Sequence, residues 1–305
     1  MTAAAAAADT GQPIGLPSWL SRELYPFESH YADVDGARVH YVDEGSGPTL
    51  LLLHGNPTWS FLYRDIIAGL RDRFRCIALD YPGFGLSHAP AGYSYTPAEH
   101  AGIVEQTILR LDLREVTMMV QDWGGPIGFA AATRHPDRFS AFVIGNTWAW
   151  PKSDPGTQIF SRLLGGPVGR QLIRRRNFFV ETILPAGVRR KKLSDAVMDA
   201  YRGPFSTPDS RMPTHVFPRE ILASRRSFLA VIERELPRLS QRPALIVWPT
   251  RDIAFRDPER RRWEEIFPNH TTVTLTDAGH YIQEDAADEI ITAIRVWRER
   301  GTERR

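Results

Sequence analysis

Cysteine is nearly absent from this sequence. Cys76 is the only one among 305 residues, so no internal disulfide can form, and a reducing compartment such as the cytoplasm is expected. Long apolar runs are absent too, because no stretch reaches the roughly 18 uncharged apolar residues that a membrane span needs. Excess charge is also lacking: 38 Lys and Arg against 36 Asp and Glu leave a net charge of +2. Charge alone therefore predicts neither a nucleic-acid nor a membrane partner.

The overall composition is that of an ordinary globular protein, with 42% hydrophobic and 24% charged residues. A chain of this length can bury a large core. Its start, MTAAAAAADTGQP, lacks both the basic beginning and the strongly apolar centre of a secretion signal. We therefore expect residues 1–24 to form a flexible tail and a lead-in to the fold.

Apolar runs of strand length alternate with helical patterns along most of the chain. The predicted strands are 39–42, 49–53, 75–80, 116–121, 142–146, 243–248 and 271–276. Predicted helices between and after them include 61–71, 96–113 and 283–298, and Thr96-Pro97 is a favourable helix start. This alternation predicts an α/β fold with a mostly parallel sheet and helices on both faces.

The alternation is interrupted between about Trp148 and Ser224, where helical pieces are separated by GGP, LPAG and PFSTPDS. We interpret residues 148–224 as a helical cap inserted into a core made of 25–147 and 225–305. Apolar cap residues that are candidates to roof a pocket are Phe160, Leu164, Phe178, Phe179, Ile183, Leu184 and Phe217.

The segment VQDWGG, residues 120–125, has the pattern of a nucleophile elbow, in which a short apolar strand turns sharply into a helix. In serine hydrolases the residue at the turn is Ser, but here it is Asp122. A carboxylate can displace a leaving group from a saturated carbon, and water can then attack the carbonyl of the resulting ester. The alternative is that Asp122 only caps the helix that follows.

His280 in TDAGHYIQED is the candidate base, and Asp252 in WPTRDIAF is the candidate acid that orients it. Each follows a predicted strand. The order nucleophile, acid, base is the one used by the α/β-hydrolase fold. The alternatives are a structural histidine and an aspartate that caps a turn.

The sequence HGNP, residues 54–57, ends the first buried strand, where this fold takes one backbone N–H of its oxyanion hole. The backbone N–H groups of Asn56 and Trp123 are the candidates for this hole. Their side chains also carry N–H donors, which could converge on a departing halide. The alternatives are a turn role for Asn56 and core packing for Trp123.

Five segments together resemble the haloalkane dehalogenases, over most of the chain from Tyr25 to Arg295. They are HGNPTWSFLYRDII, LDYPGFGLS, VQDWGGPIG, GNTWAWP and AGHYIQED. The resemblance implies an α/β-hydrolase fold with a mostly parallel eight-stranded sheet and a helical cap. It also implies that Asp122 attacks the carbon that bears the halogen and that the halide leaves toward Asn56 and Trp123. His280, held by Asp252, would activate the water that hydrolyses the ester. The implied partners are a small halogenated hydrocarbon, water and halide, with no metal or organic cofactor.

Family members differ in where the acid lies. One group has it after the strand that follows the nucleophile helix, and this chain has Asn146 there, so it resembles the groups whose acid comes later, at Asp252. The second halide donor is a cap tryptophan in one of those groups and the HGNP asparagine in the other. This chain has both the asparagine and cap-entry tryptophans. Asn56 is favoured as the second halide donor over Trp148 and Trp150 because it adjoins the oxyanion loop. The closest resemblance is to the Asp–His–Asp, Asn–Trp subfamily, whose members tend to form large oligomers.

Three other readings stay open. Epoxide hydrolases use the same nucleophile but need acid donors for the opening oxyanion, usually two cap tyrosines, whereas residues 148–224 contain only Tyr201. A non-catalytic binding protein of this fold would be expected to lose a member of the triad. The basic runs 174–176 and 189–192 could face nucleic acid or an acidic partner, but the balanced overall charge favours a solvated cap surface.

Overall fold

The computed structural model describes residues 15–302. Eight strands form one sheet in the order β1-β2-β4-β3-β5-β6-β7-β8. The strands are β1 His30–Val34, β2 Ala37–Glu44, β3 Thr49–Leu53, β4 Arg75–Leu79, β5 Val116–Asp122, β6 Phe139–Thr147, β7 Ala244–Pro249 and β8 His270–Leu275. β2 pairs antiparallel with β1 and with β4, and the other strand pairs within residues 15–302 are parallel. The predicted mostly parallel eight-stranded sheet is confirmed.

The first strand, β1, was not among the strands predicted from apolar runs. It forms a hairpin with β2 through Asp35-Gly36, whose φ angles are +47° and +78°. Two consecutive residues in the left-handed region make the turn that connects tight hairpins, and Asp-Gly is its usual sequence. The signal for this strand was therefore a turn rather than a hydrophobic run.

The central strands are buried on both faces, which explains their continuous apolar sequences. Leu50 to Leu53 of β3 are fully buried, with β4 on one side and β5 on the other. Helices cover both faces of such a sheet, so neither face alternates with polar residues. The parallel arrangement brings the C-terminal ends of β3, β5, β6 and β7 to one edge.

The helices of the structure are α1 Arg64–Leu70, α2 Pro97–Arg110, α3 Gly124–Arg134, α4 Pro155–Gly165, α5 Pro167–Arg176, α6 Leu184–Gly187, α7 Asp195–Arg202, α8 Met212–Ala223, α9 Phe228–Glu235, α10 Asp257–Ile266, α11 Ile282–Asp285 and α12 Ala287–Thr302. Short 3-10 turns occur at Ser60–Tyr63, Pro136–Arg138, Gly203–Phe205 and Leu236–Leu239, and a π-helical turn at Phe179–Ile183. Thr96 caps α2 as predicted, and Glu99 completes a capping box with it. The predicted helix 283–298 is instead two helices, because Ala286 leaves the helical region at φ −143°.

Residues 148–243, which connect β6 to β7, contain helices and no strand. The outer helix α4 packs on α8, and the Ser161 hydroxyl donates to the Pro218 carbonyl at 2.6 Å. The predicted cap boundary at Ser224 falls directly after α8, and the division into core and cap stays a prediction. No helix within residues 15–302 has both the length and the apolar character needed to cross a membrane.

The seven apolar candidates for a pocket roof have different environments. Phe217 is fully buried and stacks on Trp123, with ring centroids 5.1 Å apart. Leu164 and Phe179 belong to a separate small cluster around Ile173, against which Phe178 and Ile183 pack, while Leu184 lies in the main core. Phe160 is 39% exposed. The sequence could not distinguish these environments because each depends on which helix packs against which.

Candidate active site

Asp122 occupies a strained turn at the end of β5. Its φ of +49° lies in the left-handed region, which costs a non-glycine residue about 1–2 kcal/mol. The two glycines that follow are required by space: a Cβ on Gly124 would lie 2.2 Å from the Leu53 carbonyl oxygen, and one on Gly125 would lie 1.9 Å from the Thr147 hydroxyl. Because both residues lack a Cβ, α3 can lie close against the sheet edge. The Asp122 carboxylate then projects from that edge.

The carboxylate of Asp122 is fixed by a backbone donor. The Asn56 N–H donates to its Oδ1 at 2.8 Å, and the Thr147 hydroxyl donates to the Asp122 backbone carbonyl at 2.5 Å. Burial raises the pKa of Asp122, and this effect outweighs the lowering by His280 and by the backbone N–H groups of Asn56 and Trp123. The carboxylate is thus poorly solvated, which favours its use as a nucleophile.

His280 lies between the two carboxylates. Its Nδ1 is 3.0 Å from Asp252 Oδ2, a hydrogen bond, and its Nε2 is 3.8 Å from Asp122 Oδ2. Burial lowers the pKa of His280, but the charges of Asp252 and Asp122 and the hydrogen bond to Asp252 reverse this, so that the pKa is raised. Burial raises the pKa of Asp252, but the nearby His280 lowers it by more. The pKa of Asp252 is therefore lowered. The structure brings together the three residues predicted from separate loops.

Two amide side chains that the sequence did not mark as functional hold this arrangement. Asn146 Nδ2 donates to Asp252 Oδ2 and to the His280 carbonyl, each at 2.6 Å. Gln121 Nε2 donates to the same carbonyl at 3.1 Å and lies 3.2 Å from His280 Nε2. A donor facing Nε2 favours the neutral histidine whose proton is on Nδ1, which is the form a general base needs. The sequence signal available for these two residues was their position, because each lies next to the C-terminal end of a central strand.

The predicted halide donors lie under the helix α8. Asn56 Nδ2 donates one hydrogen to the Thr214 carbonyl at 3.3 Å and retains a second. The Trp123 indole is 3% exposed and meets the Trp148 ring edge to face at 4.7 Å. Trp148 Nε1 is buried without a hydrogen-bond partner among residues 15–302. The indole N–H of Trp148 is thus a third donor, next to Trp123 of the predicted Asn56–Trp123 pair.

The second tryptophan at the start of the cap has a different environment. Trp150 packs on Trp263, at 4.9 Å between ring centroids, and the Arg262 guanidinium lies 4.3 Å from the Trp150 ring centre. These contacts are structural. Of the two cap-entry tryptophans, Trp148 is the one beside Trp123.

Tyr201 has its hydroxyl committed elsewhere. It donates to Glu284 Oε1 at 2.6 Å, and the same carboxylate forms a two-pronged ion pair with Arg64 at 2.6 and 2.8 Å. All three side chains are buried. A hydroxyl in such a pair is not free to protonate an epoxide oxygen.

No group of three or more His, Cys, Asp or Glu residues within 15–302 is arranged to hold a metal ion. The carbonyl and amide groups around the triad are hydrogen-bonded to one another rather than directed at a common centre. The expectation of a reaction without metal or organic cofactor stays a prediction.

Residues 48–287 match the family model of the alpha/beta hydrolase fold. That match covers most of the chain and agrees with the sheet order and the elbow. The protein is therefore an α/β-hydrolase.

Relatives define the family more closely. Haloalkane dehalogenase 2 of Mycobacterium tuberculosis is 48% identical over 274 residues, which are 89% of this chain and 95% of the relative. The crystal structure of haloalkane dehalogenase DbeA from Bradyrhizobium elkani superposes with a TM-score of 0.81 at 28% identity, covering 89% of this chain and 97% of that one. The chain belongs to the haloalkane dehalogenase family.

A second kind of relative is more distant. The cis-3-alkyl-4-alkyloxetan-2-one decarboxylase of Shewanella oneidensis is 35% identical over 281 residues, 89% of this chain and 88% of the relative. The same scaffold therefore carries more than one named activity.

Proposed function

We propose that this protein hydrolyses the carbon–halogen bond of small haloalkanes through an ester on Asp122. The observation that carries the proposal is the placement of the Asp122 carboxylate: Oδ1 accepts the Asn56 N–H, while Oδ2 faces His280 Nε2. A carboxylate at an elbow, with a histidine–aspartate pair on its free side, suits alkyl transfer followed by ester hydrolysis. The 48% identity to a haloalkane dehalogenase supports this substrate class.

In the first step, Asp122 Oδ2 attacks the carbon from the side opposite the halogen. The carbon–oxygen bond forms as the carbon–halogen bond breaks, and the halide takes the electron pair. The indole N–H of Trp123 and the free amide hydrogen of Asn56 would stabilise the departing anion. Because halide only accepts hydrogen bonds, a site with donors alone discriminates for it.

In the second step, His280 takes a proton from water, and the resulting hydroxide attacks the ester carbonyl carbon of Asp122. The negative charge then develops on Oδ1, which already accepts the backbone N–H of Asn56. When the tetrahedral intermediate collapses, the alkoxide takes the proton from His280 and leaves as the alcohol, and the proton on the added hydroxyl is released to solvent as Asp122 returns to a carboxylate. Asp252 stabilises the charged histidine between these events.

The competing readings receive less support. Epoxide opening needs acid donors, and the Tyr201 hydroxyl is held by Glu284. A non-catalytic protein would not be expected to keep Asp122 facing a His280 that is hydrogen-bonded to Asp252. Haloalkane hydrolysis uses every one of these groups.

The test is halide release from 1-bromobutane and 1,2-dibromoethane by wild type, Asp122→Ala and the matched control Asp199→Ala, whose carboxylate is exposed and paired with Arg202. Styrene oxide and a cis-3,4-dialkyl oxetan-2-one are run in parallel. We expect bromide from wild type and the control, and at least a thousandfold loss in Asp122→Ala, as for loss of a nucleophile.

Other outcomes would change the assignment. Diol from the epoxide without bromide would indicate epoxide hydrolysis. Alkene and carbon dioxide from the oxetanone, again without bromide, would indicate decarboxylation. Inactivity on all four substrates would contradict an enzymatic function of this class.

We also propose that the protein is cytoplasmic and that it forms homo-oligomers, the latter because of its resemblance to the Asp–His–Asp, Asn–Trp subfamily. Cys76 is buried and unpaired, and burial raises the pKa of its thiol to about 12, which keeps it in the unreactive thiol form. Cell fractionation tests the compartment. Light scattering coupled to size exclusion tests the oligomer, and a monomeric mass at micromolar concentration would exclude it.

A further inference from the structure

Exposed hydrophobic side chains are concentrated in one place on this protein. Seven large ones are exposed among the described residues, and three of them, Val231, Ile253 and Val296, are scattered over other elements. Four lie on α4 and at the start of α5. We call these four the cap patch: Ile159 at 64% exposure, Phe160 at 39%, Leu163 at 56% and Val168 at 71%. Single exposed apolar residues are normal on a soluble surface, whereas a cluster indicates a binding surface.

The same segment is strongly basic. Residues 155–176 contain five arginines and no aspartate or glutamate. Arg174 is paired with Asp209, but no carboxylate within residues 15–302 pairs with the other four: Arg162, Arg170, Arg175 and Arg176. Asp154, just before the segment, is engaged in capping α4, where it accepts the Thr157 N–H at 2.8 Å. The near-zero charge of the whole chain conceals this local excess.

The cap patch faces away from the active site. The inner face of α4 buries Ser161 and Leu164, and Ser161 is bonded to Pro218 of α8. The helix α8 in turn reaches the site, because the Thr214 carbonyl accepts the Asn56 amide. The patch therefore lies on the outer surface of the helices that cover the site.

We propose that the cap patch and its arginines bind the surface of an anionic lipid membrane. Apolar side chains beside unpaired cations match an interface in which hydrocarbon lies directly below phosphate and carboxylate groups. A second copy of the chain fits less well, because a two-fold contact through this segment would set arginines against arginines. Nucleic acid would satisfy the arginines and leave the apolar side chains unused.

The binding would be peripheral, in keeping with the absence of a spanning helix in residues 15–302. It does not depend on the reaction proposed above. It would have a consequence for that reaction, because small haloalkanes partition into lipid, and the cap would then face the phase in which they concentrate.

The experiment is co-sedimentation of the full chain with vesicles of phosphatidylcholine alone and with vesicles containing one third phosphatidylserine. We expect binding to the anionic vesicles that weakens at least tenfold between low and high salt, and little binding to phosphatidylcholine. Equal affinity for the two compositions, or no binding to anionic vesicles at low salt, would overturn the proposal.

Paired variants assign the binding to this surface. We expect Ile159→Ser with Leu163→Ser to lower the vesicle partition coefficient at least tenfold. Arg175→Gln with Arg176→Gln should lower it about fivefold per charge. The control Val231→Ser with Val296→Ser removes two exposed apolar side chains from α9 and α12 and should leave it unchanged.

Bromide release and the thermal midpoint show whether each variant is folded, because no substituted residue lies in the proposed machinery. An equal loss of binding in the α9/α12 control would overturn the assignment to the cap patch. So would a change from oligomer to monomer in Ile159→Ser with Leu163→Ser without a change in vesicle binding, because the patch would then be a contact between copies.

Discussion

At the scale of single residues, the site is organised around one carboxylate that is costly to keep charged. Asp122 is 13% exposed, its backbone lies in the left-handed region, and burial raises its pKa. Such a residue reduces stability in return for reactivity. The cost is partly offset by His280 and by two backbone N–H groups.

We expect Asp122→Asn to stabilise the protein at neutral pH while abolishing halide release. A folded-state pKa above the unfolded value means that ionisation of Asp122 disfavours folding once the pH exceeds its unfolded pKa. Removing the charge should therefore raise the free energy of unfolding. Urea denaturation at pH 7 and pH 3.5 measures this, and the difference should shrink at the lower pH. Equal or lower stability at pH 7 would contradict the assigned cost.

The histidine offers a second test, because its raised pKa has two sources. Asp252 and Asp122 both raise the pKa of His280. Once Asp122 is an ester, its negative charge is gone and only Asp252 remains. We therefore expect the pKa that governs ester hydrolysis in single-turnover experiments to be lower than the pKa of His280 in the free enzyme, measured by NMR. An equal or higher value would mean that Asp122 does not influence His280 electrostatically.

The acid of the triad predicts a separable defect. In Asp252→Asn the alkylation of Asp122 should continue, whereas ester hydrolysis should slow about a thousandfold or more, because the charged histidine loses its partner. Mass spectrometry after mixing with 1-bromobutane should then detect protein carrying one butyl group. An unmodified protein would indicate that the first step also depends on Asp252.

At the scale of elements, the elbow depends on how closely α3 approaches the sheet. Gly124 and Gly125 permit that approach because a Cβ at either position would overlap a neighbouring oxygen. The direction of the Asp122 side chain is therefore a property of the β5–α3 unit. Local sequence supplies the glycines, and the neighbouring strands β3 and β6 supply the crowding.

Gly124→Ala should lower stability by about 1–3 kcal/mol and reduce bromide release, since its Cβ would lie 2.2 Å from a backbone oxygen that cannot move easily. Gly102→Ala in α2 is the matched control, because a Cβ there meets nothing within 4 Å. That change should stabilise by about 0.5–1 kcal/mol through helix propensity. Chemical denaturation measures the free energy of unfolding of both variants. Similar changes in the two would contradict the crowding argument.

At the scale of the whole molecule, buried histidines link stability to pH. Burial lowers the pKa of His54 to about 4 and that of His100 to about 3. His54 Nε2 accepts the Tyr81 N–H at 3.2 Å, an acceptor role that only the neutral ring can fill. Both rings therefore stay neutral in the fold at pH values where an unfolded histidine is charged.

We expect the free energy of unfolding to fall as the pH drops below about 6.5, because the unfolded chain then binds protons that the fold does not. His100→Phe should reduce this slope by one proton between pH 6 and 5. Urea titrations across that range provide the measurement, with wild type as the reference. An unchanged slope would show that His100 is not neutral in the folded protein.

The sequence by itself determined much about this protein. Seven strands and the mostly parallel sheet followed from hydrophobic periodicity, which is local. The placement of Asp122, Asp252 and His280 at or after the ends of β5, β7 and β8 followed from the same pattern, because parallel strands end at one edge. The hairpin β1–β2 was accessible through its Asp-Gly turn.

Only the tertiary structure decided which side chains meet. Asn146 and Gln121 hold His280 through hydrogen bonds between residues more than a hundred positions apart, and Tyr201 is committed to Glu284 for the same kind of reason. The helical pattern of α4 does not show that Phe160 faces solvent, because which face of a helix is buried depends on the neighbour that packs against it. Periodicity is encoded along the chain, whereas contact is a property of packing between distant segments.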